Sequence, residues 1–360
     1  MGNLNYLTYK LFILLAATLT INYSLATALT PDSNLDTSYT PVIYAGLSYQ
    51  FQAPGRIAVD SKGNVWVADT YNNSVTELPV NNLKEPIVYS GTTYQLKRPD
   101  RIVADKTDNI WIINENGSTV TKIPANNPQS PIVYSSSVYH FKDTRDIAVD
   151  SQNNIWITNP TINSITEILA ANPDAPLIYY TRAEPANIAI DQQDNVWVTG
   201  FISSHGQGDD YFNIMKLPNT NPYNPIIYEG ENYKLLYPRD IAIDNKGNVW
   251  ITNPMINSIT EVLADNPNNP IIFNDPVYKL DYSLYLNVDH EGNIWIANYS
   301  GDSVTEIPAI NPNIPIVYAY PNSIYQFNGP DGIAADPQGN IWVSNVSSRS
   351  LTELVKTSAN

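Results

Sequence analysis

One phrase recurs along this chain and limits what it can fold into. GNVWVADTYNNSVTEL runs from Gly63 to Leu78, and GNVWITNPMINSITEV (Gly247–Val262) and GNIWIANYSGDSVTEI (Gly292–Ile307) are plain copies. Seven copies can be aligned on their tryptophans, which are all the tryptophans the chain has: Trp66, Trp111, Trp156, Trp197, Trp250, Trp295 and Trp342. An aspartate stands six residues before each: Asp60, Asp105, Asp150, Asp191, Asp244, Asp289 and Asp336. Asp60 to Asp336 spans 276 residues in six steps, a mean of 46. Periods of about 40–50 residues built from several short strands indicate propeller blades.

Four strands per copy can be placed. In the first copy they are Ile57–Asp60, Asn64–Val67, Ser74–Leu78 and Pro86–Tyr89. Each is rich in Val, Ile, Thr, Tyr or Trp and is bounded by Gly, Asn, Asp or Pro. No segment reads as a helix of useful length. The turn Asp60 to Asn64 requires a residue with positive φ, which Gly and Asn tolerate, and an Asp side chain that can bond turn amides. That turn and Asp289 to Asn293 faintly resemble calcium loops. They lack the alternating ligands and terminal Glu of an EF-hand, so they read as hairpin turns. The seventh copy stops after its third strand, Leu351 to Leu354, and the missing fourth appears at the other end as Pro41-Val42-Ile43-Tyr44. The expectation is an all-β, seven-bladed propeller of four-stranded antiparallel blades. The N-terminal strand should close the ring as the outer strand of the last blade, leaving no long open edge.

The residues Ile57-Ala58-Val59-Asp60, Gly63-Asn64, Val67-Ala68-Asp69-Thr70, Asn72-Asn73 and Val75 resemble the NHL-repeat propellers. The pattern is also similar to the wider group that holds streptogramin B lyases and SMP-30/gluconolactonase-type enzymes. The resemblance covers about residues 41–355. WD40 repeats do not fit, because Trp is followed by Val or Ile and never by Asp. These families share blades and not chemistry, so function has to be argued from the site.

At the N-terminus, Lys10 precedes an apolar run from Leu11 to Ile21, and small residues end in Ala26-Thr27-Ala28. This reads as a secretory signal peptide over 1–28, cleaved after Ala28, and predicts a secreted or periplasmic protein. The run is short for a bilayer about 30 Å thick, and nothing later is apolar enough to span one. The domain order is then a leader over 29–40, the propeller over 41–355 and a tail over 356–360. The net charge is −16. An acidic surface repels phosphate backbones and anionic lipid, so neither nucleic acid nor membrane is an expected partner. With no cysteine in the chain, disulfides and thiolate chemistry are excluded. The chain is expected to be a monomer.

Loop lengths separate the two faces of the ring. Asp to Trp is six residues in every copy, and from the third-strand Glu or Lys to the fourth-strand Pro is nine in all six copies that have both. Both loops lie on one face, here the bottom. On the top, Trp to the third-strand Glu or Lys is 11 residues in six blades but 19 in blade four, Trp197 to Lys216. The outer-strand aromatic to the next Asp is usually 16, but it is 12 for Tyr179 to Asp191 and 18 for Tyr318 to Asp336. All variation falls on the top, and loops that vary over a rigid scaffold are where binding concentrates.

Three groups of top-face residues are candidates. The blade-four insertion Gly200 to Asn213 holds His205, Asp209, Asp210 and Tyr211. It reads either as a ligand or metal contact or as a solvated loop tip. Four residues before each blade's Asp stand Arg56, Arg101, Asp146, Asn187, Asp240, Tyr285 and Gly332, with Asp100, Arg145, Arg239 and Asp331 one position earlier. Mixed Arg and Asp could grip a polar or zwitterionic ligand, or could pair with each other between blades. A ring at the end of the second strands, Asp69, Asn114, Asn159, Asn253, Asn298 and Asn345, is broken by Gly200. Its oxygens could suit Ca²⁺ or Mg²⁺, or cap turns. The seven tryptophans occupy one slot inside a strand and read as blade core.

Two functions from different classes follow. One is a non-catalytic scaffold that binds a protein, peptide or glycan through the top face. The other is a metal-dependent lyase or lactonase at the top of the channel. For a streptogramin lyase the resemblance implies top-face histidines and a magnesium site. The chain has three histidines: His290 lies in a bottom turn, His140 replaces the Gln or Lys of other copies, and His205 stands alone as a catalytic candidate. That departure favours the binder.

Overall fold

A computed structural model of the chain describes residues 38–115, 118–135, 137–202, 211–319 and 324–357. These form seven four-stranded antiparallel sheets, six of them ordered as the chain runs. The seventh combines Tyr39–Tyr44 with Pro330–Ala335, Ile341–Asn345 and Ser350–Lys356. The N-terminal strand pairs with the last one from Tyr39 opposite Lys356 to Tyr44 opposite Leu351. The ring therefore closes as the repeat arithmetic requires. Among the described residues the only helical pieces are five single turns of 3₁₀ helix, and no helix is long and apolar enough to cross a membrane.

Each blade is tied by the residues that define the repeat. In blade one, Asp60 Oδ1 accepts the amides of Lys62 and Asn64, and Oδ2 accepts Asn64 Nδ2 and Trp66 Nε1 at 3.2 Å. The Asp–Trp bond is present in all seven blades, at 2.8–3.2 Å. One carboxylate thus caps the hairpin turn and satisfies the polar edge of a ring that is at most 5% exposed. This is the physical reason for the invariant six-residue spacing, because a buried indole N–H without an acceptor is costly. The indole face stacks on the outer-strand aromatic, for example Trp156 on Tyr179 with centroids 5.2 Å apart. Apolar residues of adjoining blades fill the spaces between sheets, as where Trp66 and Tyr89 of blade one pack with Ile110 and Ile112 of blade two.

The strand boundaries differ from expectation in one place that matters for function. The inner strands of blades one, two, four, six and seven begin three or four residues earlier than the apolar-Asp segment, and their register slips just there, as between Pro54 and Ile57. A bulge leaves residues out of the ladder and re-aims their side chains. The displaced residues include Arg56, Asn187, Asp331 and Gly332 of the first candidate ring.

Candidate functional site at the channel mouth

Residues of the first candidate ring meet one another between blades that are not neighbours in sequence. Arg56 of blade one meets Asp240 of blade five in a two-pronged pair, Nη2 to Oδ1 at 2.8 Å and Nη1 to Oδ2 at 3.5 Å. The Arg56 guanidinium lies 3.3 Å from the centroid of the Tyr285 ring, which comes from blade six. Arg101 of blade two and Arg239 of blade five lie 5.1 and 5.2 Å from the same centroid, and Arg239 donates to the Tyr285 hydroxyl. Cations over the face of an aromatic ring are held by its quadrupole, more strongly where water is excluded. Tyr285 is 1% exposed. Three guanidiniums thus surround one buried phenol.

Arg101 reaches furthest. Its Nε donates to the Arg145 carbonyl at 3.2 Å and stands 3.5 Å from Asp146 and 3.7 Å from Asp100. Its Nη2 donates to Asn187 Oδ1 at 3.3 Å. Contacts to blades three, four and six place its head near the axis. Asp146 and Asp240 also fasten blades together: Asp146 accepts the amides of Ile147 and Ile188 at 3.0 Å each, and Asp240 accepts that of Leu286 at 3.0 Å. Asn187 Nδ2 donates to the Pro238 carbonyl, linking blade four to five. Gly332 has no side chain to offer because Gly55 lies against it, and a Cβ there would stand 2.3 Å from the Gly55 oxygen.

The outer positions of this ring differ from the inner ones. Asp100, Arg145, Arg239 and Asp331 are half-buried and border solvent, whereas Arg101, Asp146, Asn187 and Asp240 are buried. Burial pushes the Asp146 carboxyl up to about 7, with Arg56 opposing and Asp240 adding to the rise. Burial likewise raises Asp331 to about 6 against the pull of Arg56 and Arg239. Asp100 is raised by burial, with Arg239 pulling the other way. Desolvation disfavours the charged form of an acid, so Asp146 and Asp331 take up protons at higher pH than an exposed aspartate while the guanidiniums keep their charge.

The second candidate ring has a different geometry. The amide nitrogens of Asn114, Asn159, Asn253, Asn298 and Asn345 donate to a third-strand threonine of their own blade at 2.9–3.1 Å. The oxygens of Asn114, Asn253 and Asn345 accept backbone amides of the connection that precedes the blade. Asn298 Oδ1 accepts the Ser283 hydroxyl at 2.6 Å, and Asp69 accepts the amides of Gln52, Ala53 and Asn72. This is strand-end capping within blades. Among the described residues no three His, Cys, Asp or Glu side chains stand together in a way that could hold a metal. The gap at Gly200 is an exchange of partners: Gly200 pairs with Asn213, and a Cβ on Gly200 would lie 2.2 Å from Asn213 Oδ1.

His205, Asp209 and Asp210 lie outside the described residues. Tyr211 opens the third strand of blade four, 38% exposed. His140 is an exposed turn residue with φ 52°, and Gln50, Gln95, Lys234, Lys279 and Gln326 stand at the matching place with φ 50–55°. Its position is set by the turn. His290 is exposed in a bottom turn.

Sequence reading missed an aromatic rim in the top-face connections. Phe212 packs on Phe201 and Tyr237 with centroids 5.3 and 4.8 Å apart. Tyr282 meets Tyr299 edge-on, and Arg98 lies 5.6 Å from the ring of Tyr71, which is 67% exposed. The only available signal was the recurrence of Tyr and Phe in these top-face connections, of which only the one in blade four departs in length.

The NHL-repeat family model matches residues 51–78, which hold the first three strands of blade one. The chain is a seven-bladed β-propeller that carries an NHL repeat. Virginiamycin B lyase from Staphylococcus aureus is similar in structure, with a TM-score of 0.71 at 15% identity over 88% of this chain and 99% of that one. A second streptogramin B lyase structure gives 0.71 at 16% identity, over 88% and 98%. YCF48 bound to D1 peptide gives 0.65 at 10% identity, over 91% and 98%. At these identities the likeness is one of fold. No curated protein sequence matches the propeller.

Proposed function

We propose that this propeller is a non-catalytic binding scaffold that takes a protein, peptide or glycan on its top face. The observation that carries the reading is the channel mouth. Four arginines, four aspartates and a tyrosine from six blades converge there, on the face whose loops alone vary in length. Aromatic pairs stand in the top-face connections nearby, and Tyr and Arg are the residue types enriched in binding surfaces and their hot spots. A similar fold carries a bound peptide in YCF48, so the architecture is compatible with the role. The net charge of −16 speaks against nucleic acid and membrane as partners, and the signal-like segment over 1–28 supports a secreted or periplasmic protein, read here as a monomer.

The test is a screen of the full chain on peptide and glycan arrays, followed by Arg239→Glu and Asp331→Lys on the top face and Lys62→Glu on the bottom. Loss of the captured ligand in the two top-face variants alone is the expected result. Loss in Lys62→Glu with retention in both others would overturn the assignment of the face. A melt in chelator and then with Ca²⁺ or Mg²⁺ addresses the lyase or lactonase alternative, since a bound ion at a hundredfold over its dissociation constant stabilises by about 2.7 kcal/mol.

A further inference from the structure

Hydrogen-bond accounting at the channel mouth does not close. Arg101 is 2% exposed, yet its Nη1, with two N–H groups, has no acceptor. The Nε of Arg56, on the same tyrosine ring, has none either. The carboxylates do not fill the gap because two of them are already engaged: both oxygens of Asp146 accept backbone amides, and Asp240 accepts Arg56 and the amide of Leu286. Two donors of the cluster thus stand without a protein acceptor. A donor of a buried charged group left without an acceptor carries the desolvation cost of that group uncompensated, and the complement of adjacent guanidinium donors is an anion.

We propose that the mouth binds the carboxylate of a peptide C-terminus, with Arg101 Nη1 as its principal donor, an inference that rests on the top-face reading above. The chemistry argues for a single negative charge, since Asp100, Asp146 and Asp331 surround the arginines and would repel a dianion. Asp100 is the way in. Its side chain is 33% exposed and only loosely paired with Arg101, at 3.7 Å. A peptide end presents a backbone N–H beside its carboxylate, for which the half-buried Asp331 and Asp100 are acceptors. Its last side chain meets the aromatic loops: Tyr237 is two residues from Arg239, and Tyr282 three from Tyr285. A sugar acid offers the carboxylate without the amide.

The experiment titrates the full chain with N-acetyl-Phe-Tyr as free acid, the same dipeptide as C-terminal amide, and galacturonate, by calorimetry. The arginine Nε–H resonances of the wild-type protein are followed in parallel, so the answer does not depend on a variant that folds. The free acid is expected to saturate a single site and to shift the Arg101 resonance, with the amide about tenfold weaker or worse, and Arg101→Lys is expected to weaken the acid but not the amide. Equal binding of acid and amide overturns the carboxylate site. If Arg239→Glu still abolishes array binding in that case, the top-face scaffold stands without it. Binding of galacturonate alone overturns the peptide assignment. An Arg101 resonance unmoved by saturating acid means that only water occupies the Nη1 position, and the proposal fails.

Discussion

Blade five lacks one hydroxyl that its neighbours have, and restoring it should stabilise the ring. In blades one, three, six and seven the outer-strand tyrosine donates to the third-strand glutamate: Tyr89 to Glu77 and Tyr179 to Glu167 at 2.6 Å, Tyr318 to Glu306 at 2.9 Å, and Tyr44 to Glu353 at 2.7 Å. In blade five the ring is Phe273, stacked on Trp250 at 5.2 Å as Tyr179 is on Trp156. Glu261 keeps its other partner, Asn248 at 2.8 Å, as Glu167 keeps Asn154 at 3.0 Å. Blades three and five therefore differ at this locus by the phenolic oxygen. Glu261 is 6% exposed, and burial, with Asp244 adding, pushes its carboxyl up to about 7. A hydrogen bond to a charged group contributes about 1.5–3 kcal/mol. Allowing for desolvation of the new hydroxyl, Phe273→Tyr should gain about 1–2 kcal/mol, or about 2–4 °C in Tm for a chain of this size. The sign with pH follows from linkage. A carboxyl raised in the folded state favours folding below its unfolded value near 4.5, and that contribution is lost as pH rises through about 7. The new donor acts on the ionised form, so the gain should be larger at pH 8 than at pH 5. Melts of both proteins at the two pH values decide it. An equal gain at both, or none, would show that Glu261 is not an under-bonded carboxylate.

Two further outcomes are expected. Gly332→Ala should lower the urea midpoint by an amount equivalent to about 2–3 kcal/mol, because its Cβ would meet the Gly55 oxygen at 2.3 Å where the first and last blades touch; Gly55→Ala, whose nearest contact is 3.5 Å, should cost far less, and the reverse order would refute the seam argument. Wild-type stability should fall between about pH 4 and pH 7 as Asp331 and Asp146 ionise against burial, since their folded values lie above the unfolded one; Asp146→Asn should flatten that slope in denaturation curves taken across the range, and an unchanged slope would assign it to other groups.

The blades were legible because each depends on local spacing. Asp60 must stand six residues before Trp66 for one carboxylate to hold both the turn and the indole, and the same constraint repeated seven times reveals itself without a structure. Ring closure was legible for a related reason: a strand missing at one end and surplus at the other has one place to go. The charged ring was visible as a set of positions, but not its layering. Arg101 and Asp100 are neighbours in sequence, yet one is buried at the axis and the other borders solvent, because a bulge in the inner strand separates residues that a regular ladder would only alternate. The pairing of Arg56 with Asp240 joins blades one and five, 184 residues apart, and periodicity carries no information about which members of a ring meet across its centre. Tyr285 shows the same limit. By position it is one of seven equivalents; by size it is the one that can fill the axis, so three arginines gather on it. The symmetric repeat builds the scaffold, and the residues that break the symmetry at its centre determine what the mouth can hold.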